Sequence, residues 1–483
     1  MVPAAARQYV DDRWDHDIVA RLSDYIRIPA KSPAFDPGWA AHGHLDRVAR
    51  DALEWARKQP VRDLRAEIVA LDGRTPCLFF DTASTRPAPA GDQTVLFYGH
   101  LDKQPEMSGW RAGLGPWQPV IQDGRLYGRG AADDGYAVYA ALTAIAALDT
   151  AGVPRPRCVG LIETCEESGS FDLPAYLDHL GPRLGQVGLL IGLDSGCGDY
   201  DRLWMTTSLR GLVGGVLSVD VLGEGVHSGN ASGIVPSSFR ILRGLLDRID
   251  DSRTGKLRDP VFQAPVPPDR MEQAHTAAAV LGDRIWQQFP WAPQSHAADT
   301  ADDEHVRPVT TDPVEAILNR SWRSTLSVIG AAGLPPLKEA GNVLRPATAL
   351  KLSVRLPPSV DAERAAQRMK LLLETDPPYG ARVRFDVDNA GTGWNAPPTA
   401  PWLKQALEQA STAMFGPEPV WMGEGGGIPF ISMLGERFPR AQFVITGVLG
   451  PQSNAHGPNE FLLIDYAKKL TGVIAQVVSQ APF

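Results

Sequence analysis

The sequence predicts an α/β fold with a mostly parallel central sheet, interrupted by an inserted α+β domain. Three observations carry this expectation. Residues 94–98 (TVLFY), 159–162 and 187–193 are short, continuously apolar runs ending in polar or glycine-containing turns, as strands buried on both faces should be. Residues 136–148 (YAVYAALTAIAAL), between the first two runs, are alanine-rich and apolar at helical spacing. From about Leu212 the pattern changes. A long strand at 212–222 leads to a helix at 236–249, whose first position could be Pro236. A strand at 349–356, a helix at 362–374 and a strand at 381–387 then suggest a small ferredoxin-like unit with helices on one face. Residues 251–312, rich in proline, charge and alanine, look like an elaboration of that unit. A helix at 402–415 and a strand at 442–447 resume the first domain. The expected division is 1–211 with 391–483, and 212–390 inserted. A chain of 483 residues is long enough for this, at about 150 residues per domain.

Composition narrows the function classes. With 43% hydrophobic and 21% charged residues the chain can bury a large core, which excludes global disorder. A net charge of −9 spread along the chain argues against a nucleic-acid partner, which calls for a basic face. Cys77, Cys158, Cys165 and Cys197 have no C-x-x-C spacing, so neither a disulfide framework nor a thiolate zinc site is expected. Asp11, Asp12, Arg13 and Asp15 follow the first residues where a signal peptide would be apolar. No run approaches the ~18 apolar residues of a membrane helix. A cytoplasmic enzyme with reduced thiols and no membrane partner is expected.

Five segments place histidines and acids at strand ends: His100-Leu101-Asp102, Asp133-Asp134, Glu166-Glu167, Asp194 and His456. Taken alone, each has a bland reading. Asp133 and Asp134 could simply favour the positive end of the following helix. Adjacent glutamates directly after a buried strand are harder to explain, because uncompensated buried charge is expensive. Together, two histidines and three carboxylates (His100, Asp133, Glu167, Asp194 and His456) suit two zinc-class ions, with Glu166 left as a free carboxylate.

The segments GHLDKQP, GRGAADD, EESGS and NAHGPNE, in this order, resemble the di-zinc aminoacylase/carboxypeptidase superfamily of metallopeptidases, most closely its carnosinase-like dipeptidases. SLRG at 208–211, VHSG at 226–229, SWR at 321–323 and KLSVRL at 351–356 resemble the same branch. The resemblance implies a zinc-peptidase-like catalytic domain and an inserted lid or dimerisation domain. It implies that Asp133 bridges two divalent metals, zinc first with manganese or cobalt as alternatives. His100 and Asp194 would complete one ion, Glu167 and His456 the other. Glu166 would be the general base, Asp102 would support His100 and the base, and the Asp133–Asp134 peptide would be cis. His227, acting from the partner of a homodimer, would stabilise the oxyanion. Arg355 and Asn342, with the backbone amides of Gly426 and Gly427, would hold the substrate.

The implied activity is hydrolysis of dipeptides or short peptides with a free carboxyl end. Deacylation of N-acyl amino acids or a carboxypeptidase-like reaction is the alternative, and a non-catalytic binding protein a remote one. Two departures from the family pattern stand out. Gly135 replaces a lysine after the paired aspartates, and Gly423 and Gly427 stand where an arginine and a serine are usual. No phosphate-binding G-x-x-x-x-G-K-S/T loop, H-E-x-x-H helix or G-x-S-x-G elbow offers a rival chemistry. The edge of strand 212–222 is expected to pair with its copy.

Overall fold

The structure, a computed structural model, describes residues 2–87, 93–292, 306–427 and 429–483. Its largest sheet has six strands in the order Arg65–Val69, Cys77–Thr82, Arg157–Glu163, Gln93–His100, Gln186–Gly192 and Gln442–Ile445. The last four run parallel, and Cys77–Thr82 pairs antiparallel to both neighbours. Arg157–Glu163, Gln93–His100 and Gln186–Gly192 are almost wholly buried, as their unbroken apolar runs require.

Helix Ala137–Thr150 is buried from Ala137 to Leu148. It packs against the Gln93–His100 strand and against helix Ile464–Gln480, and its alanines allow a close approach on every side. Gly99 shows how close: a Cβ there would stand 2.8 Å from the Ala137 Cβ and 3.0 Å from Asp134 Oδ2. The start of this helix is thereby pressed onto the strand that ends at His100.

The inserted unit is a four-stranded antiparallel sheet ordered Thr325–Ala332, Ala347–Leu356, Gly211–Asp220 and Arg382–Gly391. Helices Ser238–Leu246 and Ala362–Glu374 follow its first and third strands. Their Ile241, Leu245, Ala365 and Met369 share one core with Leu217, Leu352 and Phe385 of the sheet. Along Ala347–Leu356 burial alternates strictly, so Leu352, Val354 and Leu356 face the helices while Lys351, Ser353 and Arg355 face away.

The chain enters and leaves this unit through adjacent segments. A Cβ on Gly211 would meet the Gly391 carbonyl oxygen at 2.8 Å, and one on Gly393 the Leu209 carbonyl oxygen at 2.3 Å.

Three sequence expectations need correction. The strand expected at 212–222 is no edge: Gly211–Asp220 is paired on both sides, because the first and third strands are central in this topology. The edges are Thr325–Ala332, with Val328 and Ile329 uncovered, and Arg382–Gly391. Pro236 lies outside the helix expected at 236–249. The helix begins at Ser238, because the Ser237 side chain accepts from the Arg240 amide and caps it. The stretch 251–312 divides between two cores. Leu257 and Phe262 join the inserted unit, whereas Ala274, Ala277 and Leu281 of helix Pro268–Leu281 join the core of the main sheet. No helix among the described residues is long and apolar enough to cross a membrane.

Candidate metal centre

The parallel strands deliver acids and histidines to one end of the main sheet, where open parallel sheets bind ligands. His100 ends its own strand. Glu166 and Glu167 open a short 3-10 turn three residues after Glu163. Asp194 follows the Gln186–Gly192 strand, and His456 lies in the loop after Gln442–Ile445. His456 has a left-handed φ of 64°, within a run of such turns at Asn454 and Asn459.

Two groups of possible ligands share Asp133: His100, Asp133 and Asp194, and Asp133, Glu167 and His456. Asp133 Oδ1 lies 3.2 Å from His100 Nε2, and its Oδ2 lies 3.0 Å from His456 Nε2. Asp194 Oδ2 is 3.7 Å from the same His100 nitrogen, and Glu167 Oε2 is 3.3 Å from that of His456. One carboxylate thus turns an oxygen toward each histidine. The peptide between Asp133 and Asp134 is cis.

Do these residues fit divalent cations? His100 Nε2 is fully buried and makes no hydrogen bond, although two carboxylates face it. Its other nitrogen, Nδ1, lies 3.1 Å from the Asp102 carbonyl oxygen, which leaves Nε2 with the lone pair that ligation needs. Electrostatics agree. Burial, then the Asp133 charge, pushes Asp194 up to about 7. Burial and Asp194 push Glu166 well above the usual carboxylate range, and burial and Asp133 do the same to Glu167. Burial alone would also raise Asp133, but His100 and His456 hold it low. Burial opposes protonation of His456, yet Asp133 and Glu167 push it up to about 9. Carboxylates this crowded repel one another, and dications are what offset such a cluster. The residues fit two cations.

Supporting contacts fix the geometry. The Asp102 carboxylate accepts from the amides of Glu166 at 3.1 Å and Glu167 at 3.0 Å, so it sets the turn that carries both glutamates. Asp134 Oδ2 accepts from the His100 amide at 3.4 Å. Sequence reading missed the pair Arg129 and Glu460, both fully buried, which join the Asp133 loop to the His456 loop. Glu460 also accepts from the amides of Gly130 and Ala132, and Arg129 donates to the Gly457 carbonyl. Both lie inside the quoted motifs, so their charge at otherwise buried positions was the available signal.

The other candidate residues fall into two places. Arg355, Gly426 and Gly427 sit together: a Cβ on Gly427 would be 4.0 Å from Arg355 Nη1. His227 and Asn342 are exposed and adjacent on a small two-stranded ribbon, where His227 pairs with Val343 and the Ser228 amide donates to the Asn342 carbonyl. Among the described residues no hydrogen bond links this ribbon to the His100–His456 cluster.

Histidines and carboxylates gathered around one shared buried aspartate, with His456 exposed at the mouth and a buried glutamate beside them, are the groups a metal-dependent hydrolase uses. The chain belongs to Peptidase family M20/M25/M40, whose profile matches residues 96–480. It is 26% identical over 385 residues to a cysteinylglycine-S-conjugate dipeptidase of Corynebacterium striatum, covering 79% of each chain. Its fold matches the dipeptidase Dug1p of Saccharomyces cerevisiae with a TM-score of 0.74 at 20% identity, over 99% of both chains. It also matches a dinuclear metal binding peptidase of this family from Bacillus subtilis, YXEP, with a TM-score of 0.53 at 12% identity, over 98% of this chain and 100% of that one.

Proposed function

We propose that this chain hydrolyses the amide bond of dipeptides or short peptides bearing a free C-terminal carboxylate. The observation that carries the reading is Asp133 set between His100 and His456, with Glu166 buried beside them and outside both ligand groups. Asp133 would be shared between two divalent cations, zinc in the first instance, with His100 and Asp194 completing the site of one and Glu167 and His456 that of the other; so held, they would lower the pKa of a water toward neutral and polarise the scissile carbonyl. Glu166 takes the proton from the attacking water and passes it to the leaving nitrogen. Asp102 holds Glu166 at its amide and so positions that proton transfer. Arg355 receives the terminal carboxylate through its planar fork, aided by the amides of Gly426 and Gly427.

His227 supplies the oxyanion donor from the partner of a homodimer, and Asn342 beside it contacts the same carbonyl region. The exposure of His227 and Asn342 on this two-stranded ribbon supports a role in trans. Residues 1–211 and 391–483 form the catalytic part, and 212–390 the lid and dimerisation part. Of the two edge strands, Thr325–Ala332, with Val328 and Ile329 exposed, is the one we assign to pairing between copies. Four free, buried cysteines support a cytoplasmic setting.

The test is turnover of a dipeptide library against N-acyl amino acids by metal-loaded protein. Hydrolysis of dipeptides is expected, and none at all overturns the reading. Sedimentation that finds only a fully active monomer overturns the role of His227 in trans.

A further inference from the structure

Three arginines approach the glycine-rich loop, and among the described residues none of them forms an ion pair, Glu424 of the same loop turning instead toward Gly196. Arg210 is buried. Its Nε donates to the Gly425 carbonyl at 3.3 Å, and its Nη1 donates to the Asn319 and Arg323 carbonyls and to Thr325 Oγ1. Those bonds point its Nη2 at the loop, 3.3 Å from where a Cβ on Gly425 would be. Arg320 approaches the same point, its Cγ 3.2 Å away. Its Nη2 touches Met422 Sδ at 3.1 Å, and its Nε is buried without a partner. Arg355 reaches the loop from the sheet, beside Gly427.

Burial, then the charges of Arg355 and Arg320, pushes Arg210 down to about 10, so its guanidinium is poorly solvated and the other two charges lie near it. Among the described residues no carboxylate forms an ion pair with Arg210, and burial alone lowers Arg355. Clustered guanidinium groups stay charged, so they call for an anion from outside the chain. There is room for one. A Cβ on Gly426 would meet nothing within 4 Å, and both Gly426 and Gly427 are exposed. The loop adjoins the metal centre, since a Cβ on Gly196, two residues beyond Asp194, would lie 3.2 Å from Glu424 Oε1.

A single terminal carboxylate engages one fork. We propose that Arg320, together with Arg210, forms a subsite for a second carboxylate next to the one held by Arg355. The preferred substrates are then dipeptides whose C-terminal residue is aspartate or glutamate. This rests on the peptide-hydrolase reading above and specifies its substrate class.

The test compares Ala-Glu with its neutral twin Ala-Gln on the metal-loaded protein. The wild type should favour Ala-Glu by about tenfold or more in kcat/KM, mostly through KM. Arg320→Gln should bring that ratio near one, and Arg320→Lys should restore part of it. A wild-type ratio near one, or an Arg320→Gln variant that keeps the preference, overturns the subsite. Calorimetric titration of free glutamate and glutamine keeps the two readings apart. If no dipeptide is hydrolysed, the proposed activity falls. The subsite then stands only if glutamate binds about tenfold tighter than glutamine and Arg320→Gln abolishes the difference; equal binding overturns it.

Discussion

Arg129 Nη1 lies 2.6 Å from Glu460 Oε2, and this contact fastens the loop of Asp133 to the loop of His456. Both partners are fully buried, so removing one strands the other as an uncompensated charge. Arg129→Met should therefore cost about 3–5 kcal/mol. Differential scanning calorimetry should show a lowered Tm, and metal titration a weakened affinity for one cation. An unchanged Tm with full metal binding would show that the strap is dispensable.

Asp133 can serve two cations only with two equivalent oxygens. Asn at this position offers one oxygen and an amide nitrogen that cannot ligate. Asp133→Asn should lower bound metal to about one ion or fewer per chain after dialysis, with turnover falling at least about a hundredfold. Elemental analysis of variant and wild type side by side checks it.

Glu166→Gln separates proton transfer from metal binding, because Glu166 lies outside both ligand groups. Two metals should remain while kcat falls by about a hundred- to ten-thousandfold. Loss of metal together with activity would instead make Glu166 a ligand.

Glu163, behind the site, accepts from the Tyr98 hydroxyl and lies 3.2 Å from the Cys165 thiol. Burial nevertheless pushes it up to about 7. The folded chain therefore keeps this proton at pH values where the unfolded chain has released it. The resulting stabilisation is complete below the unfolded pKa, near 4.5, and is lost as pH rises through about 7. Glu163→Gln cannot ionise, so wild type should lose stability relative to this variant between pH 5 and 8. Urea melts of chelator-treated protein at both pH values measure the double difference.

Much of the site was legible because its ligands are local events. His100, Glu167 and Asp194 end or closely follow a buried strand, and strand ends can be read from apolar runs without knowing how the strands pair; Asp133 and His456 lie in longer loops. What was not legible depends on pairing across long separations. Arg129 and Glu460 are far apart in sequence and had no assigned role, because nothing local says that two charges will be buried together. The Gly211–Asp220 strand was misplaced at an edge for the same reason: an alternating strand looks alike in the centre of a sheet and at its border. Likewise, the alternation that buries Leu352 and Val354 fixes the face of Arg355, but not that Arg210 and Arg320 arrive there from other elements.

The paired crossing at Gly211 and Gly393 bears on how this architecture diversifies. All five candidate ligands lie on one side of that join, and Arg355, His227 and Asn342 on the other. Under the proposed function, insertions, exchanges or a swivel of the far part would alter the part of the substrate grip that Arg355, His227 and Asn342 supply, while Gly426, Gly427 and the candidate ligands stay as they are. A seam only two strands wide lets one inherited chemistry serve many diets.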